Sequence, residues 1–111
     1  MAETLVPIFR VDDARVAAAW YSRLGFEVIG EHQFEPDFPI YMFLKRDDVH
    51  LHLSEHTGDA PASSLAYLYV EDLDAIAVMF EVPIKKQPWG RQLELTDPSG
   101  NRVRIGAIPS P

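Results

Sequence analysis

One design is written twice in this chain, and that internal repeat constrains the fold more than any other feature. Val6-Pro7-Ile8-Phe9-Arg10-Val11-Asp12-Asp13 opens the first copy, and Leu65-Ala66-Tyr67-Leu68-Tyr69-Val70-Glu71-Asp72 opens the second, 59 residues later. Both are alternating runs of the kind that form strands, and both reach an aspartate and then switch to helical spacing. Two similar halves sharing sheet faces would place a binding cleft between them. The repeat therefore bears on function as well as on fold.

Reading each copy forward gives the same order of elements. Residues 5–11 alternate as a strand, and Asp12 or Asp13 supplies an N-cap oxygen. Residues 14–24 follow with Val16, Ala17, Trp20, Tyr21 and Leu24 at helical spacing, and Gly25 is the stop. Residues 26–32 form a second strand. The loop Glu35-Pro36-Asp37-Phe38-Pro39 cannot sit inside a sheet, because its prolines cannot donate to a ladder. Residues 40–46 and 49–55 make a hairpin across Asp47-Asp48. In the second copy, a strand at 65–70 leads to a cap at Asp72, a helix at 73–80 and a short segment at 82–85. A strand at 90–96, the turn Asp97-Pro98-Ser99-Gly100-Asn101 and a last strand at 102–107 complete it.

Each half is thus strand, helix, then three strands. The expected fold is α+β, with paired βαβββ modules forming a curved mixed sheet around a cleft and helices on the convex face. The chain is read as a single domain: module one 1–56, linker 57–63 and module two 64–111.

Composition removes several classes of function. The chain has no cysteine, which excludes disulfides, thiolate nucleophiles and cysteine-based zinc sites. Its formal net charge of −7 disfavours nucleic acid, whose phosphates need a basic face, and favours cationic ligands. No run approaches the roughly 18 apolar residues of a membrane helix, and the start lacks the basic and apolar regions of a secretion signal. The reading is a cytoplasmic protein that binds neither membrane nor nucleic acid.

Strand alternation then sorts side chains by face. Leu51 and Leu53 oppose His50, His52 and Ser54; Val103 and Ile105 oppose Arg102 and Arg104; Leu93 and Leu95 oppose Gln92, Glu94 and Thr96. The aliphatic faces should lie beneath the helices. The other faces collect polar and aromatic groups, with Tyr67 and Tyr69 among them. Glu94 and Arg104 are expected to pair across the sheet, and His52 to hydrogen-bond to Glu94 or a tyrosine. Ser54, Glu55 and His56 supply the letters of a catalytic relay, but neighbouring strand residues point to opposite faces.

Gln87-Pro88-Trp89-Gly90-Arg91 followed by Asp97-Pro98-Ser99-Gly100-Asn101 resembles the C-terminal half of bleomycin resistance proteins. Ser64-Leu65-Ala66-Tyr67-Leu68-Tyr69-Val70, Arg23-Leu24-Gly25-Phe26 and Val6-Pro7 resemble the same family, so the likeness covers nearly the whole chain. That family lies within the glyoxalase and extradiol dioxygenase (vicinal oxygen chelate) superfamily, built from paired βαβββ modules. The resemblance implies a homodimer with ligand grooves at the subunit interface and an N-terminal strand exchanged at a hinge proline, matched by Pro7. It further implies a non-enzymatic protein that sequesters a cationic, ring-containing antibiotic of the bleomycin type. Trp89, Tyr67, Ser54 and the 34–38 loop would line the groove.

Superfamily enzymes hold a metal with ligands on the first and last strands of each module. Carried onto this sequence those positions are Val6, His52 (with His50 as the alternative register), Leu65 and Arg104, of which only the histidine is a donor to a metal. The expectation is therefore no metal and no cofactor. The alternatives are a metal-dependent glyoxalase- or dioxygenase-like enzyme, or a module for an unrelated small metabolite. The complete set of candidate ligand-binding residues is Phe34, Phe38, Tyr41, His52, Ser54, Tyr67, Tyr69, Trp89, Gly90, Arg91, Glu94 and Arg104. Flat aromatic groups suit ring stacking, while Glu35, Asp37 and Glu55 would attract a positive charge.

Overall fold

A computed structural model describes residues 3–109. The element order is β1 (Ile8–Arg10), α1 (Ala14–Arg23), β2 (Glu27–His32), β3 (Tyr41–Arg46), β4 (Val49–Ser54), β5 (Leu65–Val70), α2 (Leu73–Phe80), β6 (Lys85–Gln87), β7 (Gly90–Thr96) and β8 (Arg102–Ala107). Two mixed four-stranded sheets result, with orders β1-β4-β3-β2 and β5-β8-β7-β6. In each, the first strand of the module runs parallel to its last and every other pairing is antiparallel. The α+β class and the doubled βαβββ order match the sequence reading.

The ladders prove the repeat in register. Ile8 lies opposite His52, and Tyr67 opposite Arg104. The separation between equivalent residues is 59 at the first strand of each module and 52 at the last, so the second module reaches the same pairing with tighter loops.

The described residues divide into two compact units, the first comprising residues 3–64 and 97–101 and the second residues 65–96 and 102–109. In the first, Phe9, Met42, Leu44, Leu51 and Leu53 point to the side where α1 contributes Ala14, Ala17 and Tyr21, all buried. In the second, Leu68, Val70, Leu93, Leu95, Val103 and Ile105 form the buried face, with Leu73 and Ile76 of α2. Burying such side chains contributes about 1.5–3 kcal/mol each and drives the assembly of each unit.

Local chemistry sets the helix ends. Asp13 caps α1, accepting from the N–H groups of Arg15 and Val16. Beyond its C-terminus, Gly25 (φ +91°) donates to the Ser22 carbonyl and Phe26 to the Tyr21 carbonyl. This double bond pattern is a Schellman motif, completed by the edge-on packing of Phe26 against Tyr21. The second module repeats it at α2, where Glu81 donates to Val78 and Val82 to Ala77. There the left-handed position is held by Glu81 at φ +55°, not by glycine.

Several boundaries differ from the sequence reading, most by a single residue. The first strand covers Ile8–Arg10 instead of 5–11, since Pro7 has no N–H to donate and Leu5 stands 95% exposed. The second begins at Glu27 because Phe26 is spent on the helix cap. The short strand after α2 is Lys85–Gln87, not 82–85, because the Val82 N–H closes the cap of α2. No described helix is long and apolar enough to cross a membrane.

Candidate ligand-binding site

The face of the first sheet opposite its core is built from rows set by strand register. Ile8, His52, Phe43 and Gly30 make one row; Arg10, Ser54, Tyr41 and His32 make the next. This alignment survives only because β2 bulges between Val28 and Gly30, which returns Gly30 and His32 to the aromatic face. Gly30 packs beneath the Phe43 ring, which would lie in contact, at 3.4 Å, with a Cβ at that position.

The rings on this face touch one another. Tyr41, Phe43 and His52 form a triangle with centroid distances of 4.8–5.3 Å, and His32 meets Phe34 at 4.4 Å. Tyr41 and His52 share a hydrogen bond of 2.8 Å from the phenol oxygen to Nδ1, so a tyrosine, not Glu94, is the partner of His52. Burial, reinforced by nearby His50, holds the His52 pKa below its ordinary value of 6.5 and keeps the ring neutral near pH 7. Burial and the charge of Asp59 push Tyr41 upward, so its phenol stays protonated. A depression of about 350 Å³ opens here, lined by His32, Phe34, Tyr41, Phe43, His56 and Asp59.

The corresponding face of the second sheet has different chemistry. Its rows are Tyr67, Arg104 and Glu94, then Tyr69, Gly106, Gln92 and Lys85. Arg104 Nε donates to Glu94 at 3.0 Å, the predicted cross-strand pair, and Arg102 reaches the same oxygen at 3.5 Å. The Arg104 bond chiefly holds the Glu94 carboxyl below the usual carboxylate range. Tyr67 and Tyr69 lie 4.9 Å apart, and the Tyr67 ring passes over Gly106 of β8, where a Cβ would displace its hydroxyl end. A cavity of about 440 Å³ is lined by Val82, Pro83, Lys85, Gln87, Trp89, Gln92, Leu93, Glu94 and Arg104. Trp89 is 65% exposed, with its indole N–H donated to Gln92 Oε1 at 3.1 Å.

The candidate residues thus separate. Phe34 and Tyr41 line the first cavity with His52 behind Tyr41; Trp89, Glu94 and Arg104 line the second, with Tyr67 beside Arg104. Phe38 is exposed but lines neither cavity, and its carbonyl accepts from Gln33. Gly90 and Arg91 also lie outside, and Arg91 is paired with Asp74 on α2. Ser54 is corrected most sharply: it is 0% exposed, donates to Asp59 and accepts from the His56 N–H. A ligand cannot reach its hydroxyl. Nor is Glu55 available to a cation, since its two oxygens accept the backbone N–H groups of Ala14 and Ile40.

Residues missed by the sequence reading include Phe43, Asp59, Lys85 and Gln92. Phe43 and Lys85 could have been found by extending the alternation to β3 and β6. Asp59 could not, because a loop has no period.

The Asp97–Asn101 turn also has an architectural role. Tyr21 donates to Asp97 Oδ2 at 2.8 Å within the first unit. Asp97 Oδ1 accepts from the N–H groups of Ser99 and Asn101, both at 2.9 Å. Asn101, 0% exposed, donates to the Arg10 carbonyl at 2.8 Å and accepts from the Ser64 N–H at 3.0 Å. Burial first, then Asp97, drives the Tyr21 pKa far upward.

A family model for glyoxalase superfamily proteins matches residues 1–108. The chain belongs to the glyoxalase superfamily. Solved structures similar to this glyoxalase-superfamily chain include the bleomycin resistance determinant encoded on transposon Tn5, with a TM-score of 0.79 at 22% identity over 98% of this chain and 100% of that one. The bleomycin-binding protein of bleomycin-producing Streptomyces verticillus, complexed with copper(II)-bleomycin, gives 0.70 at 26%, again over 98% and 100%. A lactoylglutathione lyase from Agrobacterium tumefaciens gives 0.72 at 20% over 96% and 94%. No curated protein matches by sequence.

Superfamily enzymes that use a metal need several donors at one point. In neither unit, among the described residues, do three His, Asp or Glu side chains converge in that way. Opposite His52 and Arg104 stand Ile8 and Tyr67, while Val6 precedes β1 and Leu65 opens β5. The residues of this glyoxalase-superfamily chain do not fit a metal centre at the expected positions.

Proposed function

We propose that the chain is a non-enzymatic binding protein that sequesters a cationic, ring-containing antibiotic of the bleomycin type. The carrying observation is the first cavity, where aromatic rings and the carboxylate of Asp59 face the same space. The rings offer stacking and cation–π attraction, and Asp59 offers the counter-charge. Charge distribution supports this reading. The first unit holds twelve of the seventeen acidic residues and five of the ten basic ones, so the whole net charge of −7 resides there. Neutral His52 adds no repulsion.

In this reading the two modules act as one domain, working in a homodimer that exchanges its N-terminal segment at the hinge Pro7. Phe34 and Tyr41 receive the cationic end of the ligand, and Trp89 and Tyr67 offer ring-stacking surfaces. The donor set favours binding over the alternative metal-dependent lyase or dioxygenase chemistry.

Isothermal titration with metal-free and copper-loaded bleomycin tests the proposal. Heat of binding at micromolar drug is expected, with protection of DNA from cleavage; absence of both overturns it. Asp59→Asn and Phe43→Ala should each weaken binding about tenfold, the size of one charge-assisted contact or one aromatic anchor. Light scattering at 12.6 kDa, the mass of a single chain, would remove the dimer.

A further inference from the structure

The cavity of the second unit has the opposite electrostatic character, and of its lining the reading above uses only the Trp89 ring, not the cationic groups beside it. Five acidic and five basic residues balance in this unit, but they are segregated. Glu71, Asp72, Asp74 and Glu81 lie on or beside α2. All five cations, Lys85, Lys86, Arg91, Arg102 and Arg104, lie on β6, β7 or β8. The one acid on that sheet, Glu94, is held by two of them.

Donors consequently outnumber acceptors around the cavity. Arg104 uses Nε on Glu94, which leaves its terminal nitrogens for another acceptor. Gln92 spends its amide oxygen on the Trp89 indole, which turns its amide N–H groups toward other partners. Lys85 sits directly opposite Gln92 and makes no ion pair among the described residues. The exposed Trp89 ring and the apolar groups of Val82 and Pro83 complete the lining.

We propose that this cavity binds an oxyanion carried on a flat ring, with the ring against Trp89 and the anion received by Lys85, Arg104 and the Gln92 amide. Guanidinium and ammonium donors form the stronger, charge-assisted class of hydrogen bond with a carboxylate or similar group. The proposal is independent of cation binding in the first unit. An aromatic acid and an acidic substituent on a larger antibiotic carry the same chemistry.

The test is an NMR titration of the full chain with 1-naphthoate, naphthalenemethanol and 1-naphthylmethylammonium. Naphthoate should shift the Trp89 indole and Gln92 side-chain signals and bind about tenfold tighter than the neutral alcohol. Lys85→Glu, at an exposed position, should lose that preference at an unchanged melting temperature. Asp59→Asn, in the other unit, should retain it. Equal binding of acid, alcohol and ammonium, or naphthoate shifts confined to Tyr41 and Phe43, would overturn the proposal. A ring-bearing antibiotic with an acidic substituent, titrated into wild type and Lys85→Glu, distinguishes the two sources. Weaker binding in the variant assigns the site to the larger ligand, and unchanged binding assigns it to separate aromatic acids.

Discussion

The two units share a strand order and a register but not a surface chemistry. Ile8 and His52 occupy the ladder positions that Tyr67 and Arg104 occupy in the second unit. Around the first pair the face is aromatic and sits in an acidic unit; around the second it carries arginines, lysine and glutamine. The backbone needs only apolar residues on alternate positions and suitable turns, so those features recur. The outward positions are not required by the core and were free to diverge. A doubled fold of this kind can therefore offer two distinct binding chemistries on one scaffold.

The largest expected effect would break the comparison at a feature with one copy only. The Tyr21, Asp97 and Asn101 network belongs to the first unit. Asn101→Ala should lower stability by about 3 kcal/mol, because the Arg10 carbonyl and Ser64 N–H lose buried partners at about 1–3 kcal/mol each. A urea melt measures it; a loss under about 0.5 kcal/mol would show that water replaces the side chain without penalty.

The helix ends give a smaller, paired test. Gly25→Ala should cost about 1–2 kcal/mol from the left-handed conformation, with a further contribution where its Cβ would meet Arg46 at 2.7 Å. Glu81→Gly should do the reverse and raise stability by about 1 kcal/mol, since the same motif there tolerates a side chain at φ +55°. If both substitutions destabilise, the two caps are not equivalent.

Titration separates the faces with the smallest effects. His52 has a depressed pKa, so the unfolded chain binds its proton first; this stability is present above about pH 6.5 and is lost as pH falls through the lowered folded value. Glu94 is also depressed, and its small contribution is lost only below about pH 4.5. Melting temperature against pH should show the first slope vanish in His52→Gln and the second in Glu94→Gln. A His52→Gln profile unchanged between pH 5 and 7 would show that His52 is not desolvated.

Much of the fold was legible because it is periodic. The limits of β5, α2, β7 and β8 follow from alternation, helical spacing and the turn at 97–101. The Glu94–Arg104 pair followed from the same alternation across a hairpin. The site was less legible. Face assignment put Ser54 with His52, but it could not show that Asp59 folds over the hydroxyl and removes it from solvent. The same limit applied to Glu55, whose carboxylate became a bracket for two backbone amides.

By itself, then, the sequence determined the doubled βαβββ order, the apolar faces and the uneven charge, because each is a local pattern of residue types. Only the tertiary structure decided which outward groups stand together. It set His32, Phe43 and Asp59 around one cavity and Lys85, Gln92 and Trp89 around another. Those groupings depend on a bulge in β2, loop paths and side-chain hydrogen bonds between residues far apart in the chain, none of which leaves a repeating trace in sequence.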